Sequence, residues 1–128
     1  MDWGQQKGQI CETILTEYLL RKKFYVLRPL SAFGPVDLFA YNDKGQTYLF
    51  DAKKELLRKN PGRNFLSRIN RPRSAVQKKL NVHIAYVNID DKTIFFSPRI
   101  EEFDEGLQKR IRRLPRQAKA KEKESSEK

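Results

Sequence analysis

Cys11, Ile14, Leu15, Tyr18 and Leu19 recur three and four positions apart, which predicts one apolar stripe on a helix over residues 5–23. After it the period changes. Residues 24–30 (Phe-Tyr-Val-Leu-Arg-Pro-Leu) read as a strand, with Pro29 marking an edge or an end. Residues 31–35 read as loop, 36–41 as a second strand, Asn42-Asp43-Lys44-Gly45 as a hairpin turn and 47–54 as a third strand. The stretch 58–72 holds Asn60-Pro61-Gly62 and Arg71-Pro72, which predicts a loop, with a short helix at 73–80. Residues 82–89 and 93–97 predict a second hairpin, and 101–114 a closing helix with its acids early and its bases late, as the helix dipole prefers. The expected fold is therefore α/β or α+β: helices flanking one mixed sheet, in a domain over residues 1–114. Residues 115–128 are Lys, Glu, Ser, Gln and Ala without apolar periodicity and predict a disordered charged tail.

Charge sharpens this picture. The 128 residues carry a formal net charge of +11. Residues 1–52 hold six basic and six acidic side chains, whereas 53–80 hold ten basic residues against the single acid Glu55. Positive charge concentrated in one window is the footprint of a polyanion binder. Its candidate phosphate contacts are Arg58, Lys59, Arg63, Arg68, Arg71, Arg73, Lys78 and Lys79, expected to position a backbone rather than read bases. Gln77 could assist at a phosphate.

Cys11 is the only cysteine and His83 the only histidine, which excludes a disulfide framework, a cysteine zinc site and chemistry that needs a histidine pair. A reducing compartment suits the lone thiol. No apolar run approaches a membrane span and the N-terminus lacks a signal-peptide core, so the chain is expected to be soluble and cytoplasmic. Neither a membrane nor a small-molecule cofactor is expected as a partner.

The residues that carry chemistry are Pro35-Val36-Asp37 and, further on, Asp51-Ala52-Lys53. Strand side chains alternate, so Asp51 and Lys53 share a face, and a hairpin brings Asp37 beside them. Two carboxylates about 4 Å apart repel by about 4 kcal/mol at an effective dielectric near 20. A hard divalent cation with oxygen ligands offsets that repulsion better than Lys53 alone, and magnesium commonly binds through one or two carboxylates and a phosphate. Such a site suits phosphodiester hydrolysis, with Lys53 orienting or deprotonating the attacking water and stabilising charge on the phosphate. An ordinary cross-strand ion pair is the competing reading, but the strand is largely apolar and a carboxylate within it needs a partner. Glu12 lies at the edge of the apolar stripe, one turn after Gly8, where it could reach a site beside the sheet.

Lys7-Gly8 and Glu12 on the first helix, then Val36-Asp37, then Asp51-Ala52-Lys53 with Glu55, resemble the PD-(D/E)XK nuclease superfamily. Within it, the chain looks most like the archaeal-type Holliday junction resolvases, over roughly residues 7–103. The Arg28 to Ser31 segment and Ser97-Pro98-Arg99-Ile100-Glu101 take part in the likeness. The resemblance implies a restriction-endonuclease-like sandwich with a mixed five-stranded sheet. It implies a divalent metal, magnesium with manganese as a substitute, held near Glu12, Asp37 and Asp51, with Lys53 as catalytic lysine. It also implies a catalytic role for Ser31, DNA contacts from Lys7 and Arg28, and a homodimer. Asp51 stands where the resolvases usually carry glutamate, and residues 60–73 depart from the resolvase pattern toward small nucleases of phages and mobile introns.

The function expected from these residues is a metal-dependent DNA endonuclease, structure-specific for branched DNA. One alternative is a sequence-selective endonuclease of the homing, restriction or phage type, reading guanines through arginines of residues 58–80. Another is a non-catalytic nucleic-acid-binding module on the same scaffold.

Overall fold

The computed structural model describes residues 3–31, 34–59, 61–62, 65–103 and 111–113. The chain divides into two compact units, the larger formed by Met1–Glu55 and Pro72–Gln108 and the smaller by Leu56–Arg71 and Lys109–Lys128.

The larger unit begins with α1 (Trp3–Arg21) and continues through β1 (Tyr25–Leu27), β2 (Leu38–Tyr41) and β3 (Thr47–Lys54). After the excursion into the smaller unit come α2 (Ala75–Leu80), β6 (Val82–Val87), β7 (Ile94–Ser97) and a 3-10 turn at Glu101–Phe103. These strands form one five-stranded sheet in the order β1-β2-β3-β6-β7. All neighbours are antiparallel except β3 and β6, which run parallel with Asp51 opposite Ile84. The sheet is thus mixed and the fold α+β, as the sequence predicts. Parallel neighbours need a crossover, and α2 lies on it.

The stripe on α1 is the core. Cys11, Leu15 and Leu19 are fully buried against Leu38, Ala40, Phe50, Ala85 and Phe96. Val26, Tyr48 and Ala52 pack on the same cluster, so α1 covers the face of β1, β2 and β3 that carries these residues. The turn between β2 and β3 is set by its sequence. Asn42 Oδ1 accepts from the N–H groups of Lys44 and Gln46, and Gly45 takes φ +82°, where a side chain would be strained.

The smaller unit is a three-stranded antiparallel sheet, β4 (Leu57–Lys59), β5 (Phe65–Arg68) and β8 (Ile111–Arg113), in the order β4-β5-β8. Two expectations are corrected here. The basic stretch expected to be loop contains a hairpin, because Pro61 and Gly62 sit in its turn and leave Leu57–Lys59 and Phe65–Arg68 free to pair. The expected closing helix starts as one 3-10 turn, and Ile111–Arg113 is strand: pairing with β5 overrides the local charge pattern. Residues 115–128 lie outside the described residues. No helix among the described residues is long and apolar enough to cross a membrane.

Candidate active site

The site forms where β2 begins beside the middle of β3. Leu38 pairs with Phe50, so Asp37, one step earlier, stands opposite Asp51. Two backbone bonds fix Asp37 there. Its N–H donates to Phe50 O at 2.7 Å, and its Oδ2 accepts from Ala52 N–H at 2.9 Å. The carboxylate thereby takes the place a strand carbonyl would have held, and its orientation is as well determined as the sheet itself.

Asp51 is buried, 9% exposed, and Lys53 Nζ approaches its Oδ2 to 3.3 Å. The same oxygen accepts from Gln77 Nε2 at 2.9 Å. Gln77 reaches it from α2, where Ser74 and Gln77 form a capping box: Gln77 N–H donates to Ser74 Oγ and Ser74 N–H donates to Gln77 Oε1. Gln77 Nε2 also donates to Pro35 O at 3.0 Å, so one amide ties the capped helix to Asp51 and to the segment leading into Asp37. Asn81 ends α2 at φ 60°, a left-handed cap that turns the chain into β6.

The pair is electrostatically loaded. Burial pushes the Asp37 carboxyl up from 3.8 to about 6; the Ala52 N–H pulls the other way, while hydrogen bonding and charge from Asp51, and the charge of Glu12, push further up. A carboxylate whose ionised form is penalised by its neighbours is one a cation would relieve. Asp37, Asp51, Lys53, Gln77, Ser74, Gly34, Pro72 and Ile84 line an open pocket of about 470 Å³ at this point. Its two carboxylates offer hard oxygen donors, the set a magnesium or manganese ion takes.

Glu12, half-buried on α1, pairs instead with Arg28, with Nη1 3.4 Å from Oε1. Its charge reaches Asp37, but among the described residues no group of three His, Cys, Asp or Glu side chains closes on one point. Space beside it is open, since a Cβ on Gly8 would meet nothing within 4 Å.

The remaining candidates are distributed as follows. Ser31 is exposed in a bend before residues 32–33, and Lys7 is half-exposed on α1. Arg58, Lys59, Lys78 and Lys79 are exposed. Arg71 is half-buried and Arg68 is 4% exposed, whereas Arg73 donates to Val82 O at 3.3 Å. Arg63 lies outside the described residues. Gln77, read as a possible phosphate contact, has both ends of its amide committed within the protein. The Ser74-Ala75-Val76-Gln77 spacing was the available sign of this role, because a capping box fixes which way the glutamine faces. His83 is structural: Nδ1 meets Pro98 O at 2.7 Å, its ring packs beside those of Tyr48 and Phe50, and burial holds its imidazole below the ordinary value.

No protein-family model and no curated protein matches this chain. Among solved structures it is similar to a bacterial homing endonuclease, I-Ssp6803I, with a TM-score of 0.53 and 17% identity over 75% of this chain. The match spans 65% of that protein's length, just under two-thirds. At this identity the likeness establishes a shared fold.

Proposed function

We propose that this chain is a DNA endonuclease that hydrolyses phosphodiester bonds at the Asp37–Asp51–Lys53 site. One observation carries the reading: two carboxylates from adjacent strands meet in an open pocket, one with its pKa pushed up to about 6, with a lysine 3.3 Å from the other. A surface ion pair has no use for a second, half-buried carboxylate at such a cost.

Asp37 and Asp51 would hold the divalent cation, and Glu12 is close enough in charge to contribute if Arg28 releases it. When bound, the cation supplies Lewis-acid polarisation of the phosphate and eases deprotonation of a neighbouring water. Lys53 orients that water and meets the charge that grows on the phosphate oxygens. Gln77 keeps Asp51 in one rotamer, so the donor pair is set before substrate arrives. The basic side chains of residues 53–80 supply backbone affinity that falls as salt rises.

For substrate we favour duplex DNA cut at a preferred sequence. The similar fold belongs to a homing endonuclease, and β4, at the edge of the three-stranded sheet, carries the exposed Arg58 and Lys59, side chains of the kind that meet DNA. Branched DNA is the second reading, supported by the order of Lys7-Gly8, Glu12, Asp37, Asp51 and Lys53 along the chain. Either substrate carries two strands, and paired cuts call for two copies of a chain with one such site among its described residues. The deciding experiment is cleavage of a labelled four-way junction beside a linear duplex, with magnesium, with chelator and with Asp51→Asn. Magnesium-dependent cuts at discrete positions in the linear duplex are expected. Paired nicks on the junction alone would select the second reading, and binding without cutting would select a non-catalytic module.

A further inference from the structure

The sheet face opposite α1 carries a row of aromatic rings that runs up to the carboxylates. Along β2 and the residue leading into it, alternation puts Asp37, Phe39 and Tyr41 on this face, so the rings follow the acid at two-residue steps. Leu49 of β3 stands opposite Phe39 and two residues before Asp51, and Tyr25 of β1 stands opposite Tyr41. Ring centroids lie 5.9 Å apart for Phe39 and Tyr41 and 5.0 Å apart for Tyr25 and Tyr41. Tyr25 is 48% exposed and Tyr41 37%. At the rim, Tyr25 Oη donates to Asp43 Oδ1 at 3.0 Å, which steadies the ring and occupies the acid.

We infer that Phe39, Tyr41 and Tyr25 form a stacking platform for nucleobases of the strand being cut, at nucleotides beside the scissile phosphate that are out of the double helix. The inference rests on the endonuclease reading, which puts that phosphate at Asp37 and Asp51. Continuity with the site is the first argument. A strand that leaves the carboxylates along β2 carries its next bases over Phe39 and then Tyr41. Spacing is the second. Successive bases in a closed stack lie about 3.4 Å apart, too close for these rings, and within a duplex each base face is covered by its neighbours. Only bases drawn apart can lie on the row. Charge is the third. Exposed Lys23 and Lys44 stand just beyond Tyr25 and Tyr41 at one end of the row, and Lys53 stands beside the carboxylates at the other. Phosphates are met at the ends and bases between them, the combination of cations and rings that holds a single strand.

The platform narrows the substrate. A branch or a single-stranded tail beside the cut presents unstacked bases already, whereas an intact duplex must be opened there first. Among duplex sequences, easily unstacked pyrimidine–purine steps next to the cut are favoured for the same reason.

Fluorescence anisotropy of the full chain in chelator tests this, with a flush duplex beside the same duplex carrying a single-stranded tail that contains the fluorescent adenine analogue 2-aminopurine. The tailed DNA is expected to bind about tenfold more tightly, with the 2-aminopurine emission quenched by stacking. Tyr41→Leu keeps an apolar side chain and removes the ring. It should erase most of the preference and the quench, with an unchanged circular dichroism spectrum, while Tyr41→Trp keeps both. Tyr25→Leu should act in the same direction at a more exposed ring. Equal affinity of the parent for both DNAs, or a preference and quench that survive Tyr41→Leu, would overturn the inference. So would a dimer in sedimentation velocity that Tyr41→Leu splits and tailed DNA does not, since a second copy would then cover the rings. Quenching without any cleavage in magnesium would leave the stacking surface standing and remove the nuclease reading.

Discussion

Gln77 Nε2 donates to Asp51 Oδ2 at 2.9 Å, joining residues 26 positions apart across the crossover between β3 and β6. The bond matters because Gln77 cannot swing away. Its other amide atom is held by the N–H of Ser74, and its own N–H is held by Ser74 Oγ. The helix cap and the acidic pair are therefore one hydrogen-bonded unit, and disturbing either should be felt by both.

Replacing Gln77 by Ala removes the partner of Asp51, of Pro35 O and of Ser74 N–H together. Stability should fall by about 1–3 kcal/mol, measured by urea unfolding. Cleavage should slow by about 10–100-fold, the usual effect of losing support behind a ligand, while DNA affinity stays near that of the parent. Unchanged kinetics would show that Asp51 needs no such support.

Asp51→Asn and Lys53→Ala should each abolish cleavage and leave DNA binding nearly intact, because nine further basic residues of 54–80 would carry the affinity. Gel-shift and cleavage assays on the same preparation separate the two. Parallel loss of both activities would point to misfolding or to a pure binding site.

The pH dependence of stability reports on Asp37. Its folded pKa of about 6 stands above the ordinary 3.8, so folding favours the protonated form. That contribution is fully present below about pH 4 and is lost as pH rises through about 6. Asp37→Asn keeps the acceptor for Ala52 N–H and removes the titration. In chelator, the parent should lose Tm relative to D37N as pH rises from about 4 to about 7, and magnesium should close the gap. His83 titrates in the opposite sense in both proteins and cancels in the difference. A gap independent of pH would mean that Asp37 is not penalised.

Arg58 and Lys59 are exposed on β4. Replacing both by Ala should reduce the slope of log affinity against log salt by about two, one for each phosphate that is no longer neutralised. Titration at several salt concentrations measures it. An unchanged slope would place both side chains off the DNA.

Gly8→Ala should stabilise α1 by about 0.5–1 kcal/mol, since the position is open and helical. If a DNA backbone uses that opening, the same change should weaken binding. Higher Tm with unaltered affinity would free Gly8 of any such role.

Much of this molecule could be read from local pattern. The stripe from Cys11 to Leu19 defined α1 and its buried face, because helical periodicity and burial share one cause. Alternation along Thr47–Lys54 put Asp51 and Lys53 on one face, and the Asn42–Gly45 turn put Asp37 beside them, because a short hairpin has only one register compatible with its core face. What sequence could not determine depended on partners distant along the chain. The Leu57–Lys59 and Phe65–Arg68 hairpin and the strand at Ile111–Arg113 exist through pairing, and charge-rich local sequence showed no sign of it. Sequence made Gln77 a polar helix residue; only the parallel crossover carried it onto Asp51. Sequence likewise placed Glu12 near the site, but whether it faces Arg28 or the carboxylates is decided by how α1 lies against the strands. Periodicity fixes which residues share a face, whereas tertiary packing decides which faces meet, and the chemistry of Asp37 and Asp51 arises where they do.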